Sequence, residues 1–205
     1  MQIGYALPNV LTRQVTAALG QPSDEALIEA IAQGEKRAMQ VLYARHNVRV
    51  YRFIVGLAQD ESLAEDLVSE VFLDVWRKAG QFQARSEVST WLLAIARNKT
   101  YSALRHRTDA QLDEHFAAAI EDPADSPGSV LDKKDRSAVL AHCLTRLSPA
   151  HREIIDLAYY HEKSIEEVAQ ITGVPVATVK TRMYYARKRM AELLKETGID
   201  RVCDA

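Results

Sequence analysis

The chain has 205 residues, 47% of them hydrophobic and 26% charged, with a formal net charge of −2, an ordinary soluble composition that can fill one large core or two small ones. No apolar run reaches the length of a membrane-spanning helix, and the start lacks a charged stretch followed by an apolar core, which argues against membrane and secretory classes. The two cysteines, Cys143 and Cys203, are too few and too far apart for a disulfide framework or a zinc-ligand pair, so a reducing cytoplasm is the simple inference.

The small net charge hides a strong segregation along the chain. Asp60 to Asp74 carries only acids, Arg77 to Arg107 is basic apart from Glu87, Asp109 to Asp125 is acidic again, and Lys180 to Lys195 is basic apart from Glu192. Such alternation implies separate surfaces for different partners.

Residues 1–22, with Pro8, Gly20 and Pro22, read as a loosely ordered leader. Ser23 and Asp24 then offer a helix cap. Leu27, Ile31, Met39, Leu42, Tyr43, Val50, Tyr51, Ile54 and Leu57 mark two or three amphipathic helices, with interruptions expected near Gly34 and Gly56.

Asp60 to Lys78 predicts a helix with a wide apolar stripe that includes Leu63, Leu67, Val71 and Val75 beside Ala64, Val68, Phe72 and Trp76. Glu61, Glu65, Asp66, Glu70 and Asp74 occupy much of the remainder, and Glu70 and Asp74 lie too far along to be explained by the helix dipole. An acidic face with Phe72 and Leu73 at its rim suits docking on a basic protein; a solvated acidic face is the bland alternative. Ser89 and Thr90 predict the cap of the next helix, Trp91 to Arg107. Leu92, Ile95, Ala96 and Leu104 face a core, leaving Arg97, Asn98, Lys99, Tyr101, Arg105 and Arg107 outside. Cations interleaved with aromatic and amide groups are what an unstacked single strand requires. Trp91 fits either a core anchor or a ring presented to a base.

From Thr108 to about Val130 the periodicity dissolves, and the run from Asp122 to Ser129, rich in Pro, Asp, Ser and Gly, reads as an acidic linker. A second helical module begins near Leu131, with a helix carrying Val139, Leu140, Cys143, Leu144 and Leu147. Ser148 and Pro149 then cap and open a helix with Ile154, Ile155, Leu157 and Ala158.

Ser164 and Glu167 form a capping box, Ile165, Val168 and Ile171 make one apolar stripe, and Gly173 supplies a left-handed turn. A long helix follows from Pro175 or Val176 to about Leu194, with Val179, Met183, Ala186, Met190 and Leu193 inward. Thr178, Lys180, Thr181, Arg182, Tyr185, Arg187, Lys188 and Arg189 lie on its other face. This is a helix-turn-helix whose second helix suits a major groove. The fold class expected is all-α: two small helical domains joined by a flexible acidic linker, at residues 23–107 and 131–196, with a tail at 197–205.

Both modules resemble one family, the extracytoplasmic-function sigma factors of the σ70 family. Residues 63–79 resemble the σ2 helix that docks on the β′ clamp of RNA polymerase, which implies core-polymerase contacts from Leu63, Asp66, Leu67, Glu70, Phe72, Leu73, Asp74 and Trp76. Residues 89–99 resemble the stretch that captures the −10 element, implying DNA contacts from Trp91, Arg97, Asn98, Lys99, Tyr101, Arg105 and Arg107, with Asn98 at the position that reads a flipped base. Residues 147–157 resemble the leading helices of σ4, and residues 178–187 its −35 recognition helix, implying contacts from Thr178, Lys180, Thr181, Arg182, Tyr184, Tyr185, Arg187 and Lys188.

The resemblance implies a promoter-recognising, promoter-melting subunit of RNA polymerase serving a stress regulon. Its partners would be core polymerase, through the β′ clamp and β flap, promoter DNA, and an anti-sigma factor; the linker would pass through the polymerase RNA channel. A free-standing helix-turn-helix regulator is the competing class, although it leaves the acidic helix and the Trp91–Arg107 stretch unexplained. An enzyme is not expected: the chain has no Gly-rich phosphate loop, no His-x-x-x-His pair and no nucleophile elbow. No metal, cofactor or small-molecule substrate is expected, and His142 beside Cys143 reads as packing.

Overall fold

The computed structural model describes residues 22–114 and 133–197, and every regular element among them is helical. The expected leader, the Pro- and Ser-rich part of the linker and Cys203 lie outside the described residues.

The first module comprises α1 (Asp24–Ala32), α2 (Lys36–Ala58), α3 (Glu61–Lys78), a short 3₁₀ turn (Ala79–Gln81) and α4 (Val88–Glu114). The Ser23 hydroxyl accepts from the Ala26 amide at 3.2 Å, starting α1 as expected. Gly34, at φ 89°, turns the chain into α2. Asp24, in the first turn of α1, accepts from Arg45 and meets His46 Nε2 at 2.6 Å, which pins α1 across the middle of α2.

The expected break at Gly56 does not occur: α2 continues to Ala58 and ends on Gln59 in the left-handed conformation. One interior glycine weakens a helix by only about 1 kcal/mol, which the burial of Val50, Phe53 and Ile54 overrides. Asp60 caps α3, accepting from the Leu63 amide at 2.9 Å. The inward faces of α1, α2 and α3 then meet α4 through Val88, Leu92, Leu93 and Ala96, all fully buried.

Ser89 and Thr90 do not cap α4. The helix starts at Val88, three residues before the expected Trp91, and both residues are buried within its first turn. Their hydroxyls are engaged across the protein, so residue type at a helix start was a misleading guide. The helix also runs past Arg107 to Glu114, into the stretch expected to be linker.

The second module comprises α5 (Lys133–Thr145), α6 (Pro149–Ile155), a π-helical turn (Asp156–Tyr160), α7 (Ile165–Thr172) and α8 (Val176–Glu196). Ser148 caps α6, with Pro149 at its first position. Leu140 is exposed rather than core-facing, whereas Cys143 and Leu147 are buried. Both halves of the Ser164–Glu167 capping box form, at 3.2 and 2.9 Å. Gly173, at φ 69°, ends α7 and redirects the chain into α8.

The two modules are not held apart. α4 packs against α7, and α2 against α6 and the π-helical turn. Gly56 faces the second module, where a Cβ would lie 3.6 Å from Asp156 Oδ2, at ordinary contact distance. Phe53 of α2 meets the His161 ring edge-on at 5.3 Å between centroids.

Removing the cap hydroxyl in Ser164→Ala is expected to lower folding stability by about 1 kcal/mol, read from denaturant midpoints, because the Glu167 amide loses its acceptor.

Candidate nucleic-acid and polymerase interfaces

The helix-turn-helix presents α8 as expected. Val179, Met183, Ala186 and Leu193 are buried against the module, while Lys180, Thr181, Tyr184, Tyr185, Arg187 and Lys188 are exposed on the other side. Thr178 and Arg182 are half-buried. The Thr181 hydroxyl donates to the Ala177 carbonyl at 3.0 Å, which leaves its oxygen able to accept. Tyr184 and Tyr185 pack edge to face at 5.3 Å, and the Arg187 guanidinium stands 5.7 Å from the Tyr159 ring centroid. An open groove of about 590 Å³ has Ile165 and Met183 as apolar lining and Lys180, Arg187 and Lys188 as cations, with Tyr184 completing it.

On α4 the expected outward residues point three ways. Asn98 and Arg105 are exposed. Lys99 turns to α3, reaching Glu70 Oε2 at 3.1 Å and Asp74 Oδ1 at 3.5 Å, and Arg107 reaches Asp60 at 2.7 Å. Arg97 and Tyr101 face the second module. The Arg97 guanidinium donates to Glu153 through Nε at 2.6 Å and Nη2 at 3.3 Å, and the Tyr101 hydroxyl donates to the same carboxylate at 3.3 Å. The expectation that Arg97 and Tyr101 lie free on an outer face is therefore corrected. Trp91 is half-buried with its ring 5.1 Å from Phe82, which combines the anchor reading with a partly open edge.

On α3, Asp66 and Glu70 are exposed and Leu73 is 47% exposed, while Leu63, Asp74 and Trp76 are half-buried. Leu67 and Phe72 are 3% exposed, which corrects their placement on an outer docking face. A stripe this wide leaves the inward direction open in sequence; in the fold, α2 and α4 take both residues. Phe72 still touches the surface indirectly, supporting the exposed Tyr43 edge-on at 4.8 Å.

Three charged residues organise the junction between modules: Glu153 and Lys163, which the sequence did not single out, and Glu167, expected only as half of a capping box. Glu153, on the apolar side of α6, is 2% exposed, and its position among Ala150, Ile154 and Leu157 was the available signal. Lys163 donates to Glu87 at 2.9 Å, Ser89 at 2.7 Å and Glu167 at 2.7 Å. Glu167 also accepts from the Thr90 hydroxyl at 2.5 Å.

Burial alone raises the affinity of Glu167 for a proton, but hydrogen bonds from Lys163, Thr90 and the Ser164 amide, with the Lys163 charge, outweigh it and bring the carboxyl down to about 2. The Lys163 hydrogen bond likewise lowers Glu87. Burial, then the Glu153 carboxylate, raises the Tyr101 hydroxyl, which stays a donor.

A carboxyl held below its ordinary 4.5 contributes stability that is fully present above that value and lost as pH falls toward 2. Thermal unfolding followed from pH 6 down to about pH 2 should show the native chain losing this contribution. Glu167→Gln should start lower and decline less steeply over the same window; parallel profiles would show that the pairing is absent in solution.

Among the described residues no cluster of His, Cys, Asp and Glu side chains is able to hold a metal, and no helix is long and apolar enough to cross a membrane. His142 is exposed, and Cys143 is buried packing.

Comparison with known proteins converges on one family. The family models for Sigma-70 region 2 and Sigma-70 region 4 match residues 42–109 and 137–190 respectively. The RNA polymerase sigma factor CarQ of Myxococcus xanthus is 31% identical over 175 residues, covering 84% of this chain and 98% of that protein. The ECF RNA polymerase sigma factor SigK of a Mycobacterium species, strain KMS, is 27% identical over 176 residues, covering 84% and 91%. The sigma factor RpoE of Bartonella quintana, solved with the anti-sigma factor NepR, superposes with a TM-score of 0.62 at 31% identity, covering 79% of this chain and 98% of that one. Two regions in sigma order over nearly the full length of such relatives set aside the free-standing regulator: the chain belongs to the extracytoplasmic-function sigma factors of the σ70 family and is an RNA polymerase sigma factor.

Proposed function

We propose that the labour of initiation is divided among three helices: α3 docks on core polymerase, α4 captures the −10 strand and α8 reads the −35 duplex. The observation that carries this reading is the one-sided construction of α8. Lys180, Thr181, Tyr184, Arg187 and Lys188 stand exposed opposite the buried stripe of Val179, Met183, Ala186 and Leu193, behind a capped and glycine-ended α7. Residues near the start of such a helix reach base edges, and cations farther along hold phosphates.

The exposed amide of Asn98 supports the −10 role, since it both donates and accepts toward a single extruded base. For α3, the exposed Asp66 and Glu70 around Leu73 offer a charged rim about an apolar contact, suited to a basic protein surface. A relative solved with its anti-sigma factor supports control of this chain by such an inhibitor, for which the exposed Val41, Tyr43, Val48 and Leu73 on α2 and α3 supply an apolar landing. The protein acts as an initiation factor rather than an enzyme, in the cytoplasm beside the polymerase.

Lys180→Ala and Arg182→Ala are expected to weaken −35 duplex binding by holoenzyme by roughly 1–3 kcal/mol where a base contact is lost, and to reduce its salt slope where a phosphate contact is lost. If titrations across a salt series show neither effect, α8 is not the duplex reader. Asn98→Ala should leave −35 binding and core association unchanged while lowering permanganate reactivity of thymines in the −10 region. Normal melting by that folded variant would remove the assignment of α4.

A further inference from the structure

We infer that α8 reads the methyl groups of thymines, through Ala177, Thr181 and Tyr184, so that the −35 element carries thymines within one short window of the major groove. The inference rests on α8 being the −35 reader and names the base feature that it reads. Val179, Met183, Ala186 and Leu193 fix the inward side of the helix. On the opposite side Ala177, Thr181, Tyr184 and Lys188 follow one another at the spacing of a single helical stripe, and all of them are exposed. This stripe is the line of α8 that reaches deepest into a groove. Its first side chains present a methyl, a methyl beside a hydroxyl, and a ring.

The polar part of that line is partly committed already. The Thr181 hydroxyl donates to the Ala177 carbonyl at 3.0 Å. Tyr184 is 64% exposed, and its ring is braced edge to face by Tyr185, with centroids 5.3 Å apart and planes at 76°. A braced ring offers a fixed apolar edge.

Groups suited to the other bases are missing from the line or stand beside it. Two-pronged recognition of adenine takes Asn or Gln, and α8 contains neither. Guanine takes Arg or Lys. Arg182 is half-buried at the margin of the inward stripe, Arg187 stands 5.7 Å from the Tyr159 ring centroid, and Arg189 meets Glu192 at 3.1 Å. Lys180 lines the groove that it shares with Ile165. These cations lie on the flanks of the line, where phosphates run, and Lys188 lies a turn beyond Tyr184. What remains for base edges is apolar, and thymine is the base that offers a methyl group in the major groove. Ala177, which its residue type alone would pass over, thereby becomes a contact residue. From Ala177 to Tyr184 the helix rises about 10 Å, or roughly three base-pair steps, which sets the width of the window.

The test uses holoenzyme and duplexes selected by it from a pool randomised across the −35 region. The selected duplexes should carry thymines in such a window. Replacing a contacted thymine by deoxyuridine removes the methyl and keeps the pairing, and should weaken binding about fourfold, the worth of one buried methyl-sized group. Thr181→Ser holoenzyme, which keeps the hydroxyl, should bind the thymine duplex about fourfold less tightly and lose the deoxyuridine effect at one position. Tyr184→Ala should lose it at another. Both side chains are exposed, so neither change touches the buried stripe.

A selected window without thymine, a deoxyuridine duplex bound as tightly as its parent, or variants that keep the full deoxyuridine effect overturns the inference. If exchange of A·T for G·C then weakens binding while deoxyuridine does not, α8 reads the shape of the duplex instead. The Lys180→Ala and Arg182→Ala holoenzymes separate the two levels of the reading. Where they lose affinity or salt slope and deoxyuridine is without effect, only methyl readout falls; where they lose neither, the assignment of α8 falls with it.

Discussion

The arrangement of the whole chain depends on buried charges having to find one another. Glu153 and Lys163 are 2% and 7% exposed, and an ion removed from water without a partner costs several kcal/mol. Neither partner of Glu153 is in its own module: Arg97 and Tyr101 both belong to α4. Lys163 has Glu167 nearby on α7, yet its remaining donors go to Glu87 and Ser89 at the start of α4. Docking the modules in any other register would strand these groups. One helix consequently serves as a wall of both modules, packing Leu92, Leu93 and Ala96 into the first and offering Thr90, Arg97 and Tyr101 to the second.

That dependence also explains what was legible in the sequence. Local features were readable because their partners lie within a turn: the Ser164–Glu167 box, the left-handed Gly173, the Ser148–Pro149 start and the inward stripe of α8 all stand as expected. Where a side chain answered to a distant partner, type and spacing misled. Ser89 and Thr90 look like caps, but their hydroxyls meet residues more than seventy positions away. Arg97 looks like a free surface cation, and its carboxylate lies fifty-six positions on. For Leu67 and Phe72 the difficulty was of another kind, since a stripe that covers most of a helix does not say which part α2 and α4 will claim.

The acidic helix illustrates how pairing redistributes a surface. Asp74 is drawn toward Lys78 and Lys99, whose hydrogen bond and charges hold its carboxyl below the usual range despite the opposing effect of burial. Lys99 also takes Glu70, at 57% exposure, on its outer side. The acidity available to a partner is thereby concentrated toward Glu61, Glu65 and Asp66, on the N-terminal half of α3, with Leu73 farther along. A partner's cations meet an acidic patch at one end of the helix and an apolar contact toward the other, which gives docking a direction as well as a charge.

The two DNA-facing helices differ in readiness for the same physical reason. On α8 the ion pairs of Glu196 with Arg146 and of Glu192 with Arg189 lie at its far end, so Lys180, Arg187 and Lys188 remain directed outward and require only counterion release to take up phosphate. α4 supplies the guanidinium that lets Glu153 be buried, and Arg97 and Tyr101 give up that carboxylate only when it is rehydrated, while Asn98 and Arg105 are already exposed. Rehydration favours ions and opposes apolar exposure, so the cost of freeing α4 falls mainly on the apolar contacts at the seam, Phe53 among them, rather than on the salt bridges. Charge sets which faces meet; apolar area sets how firmly, and therefore how much binding energy a partner must supply to part them.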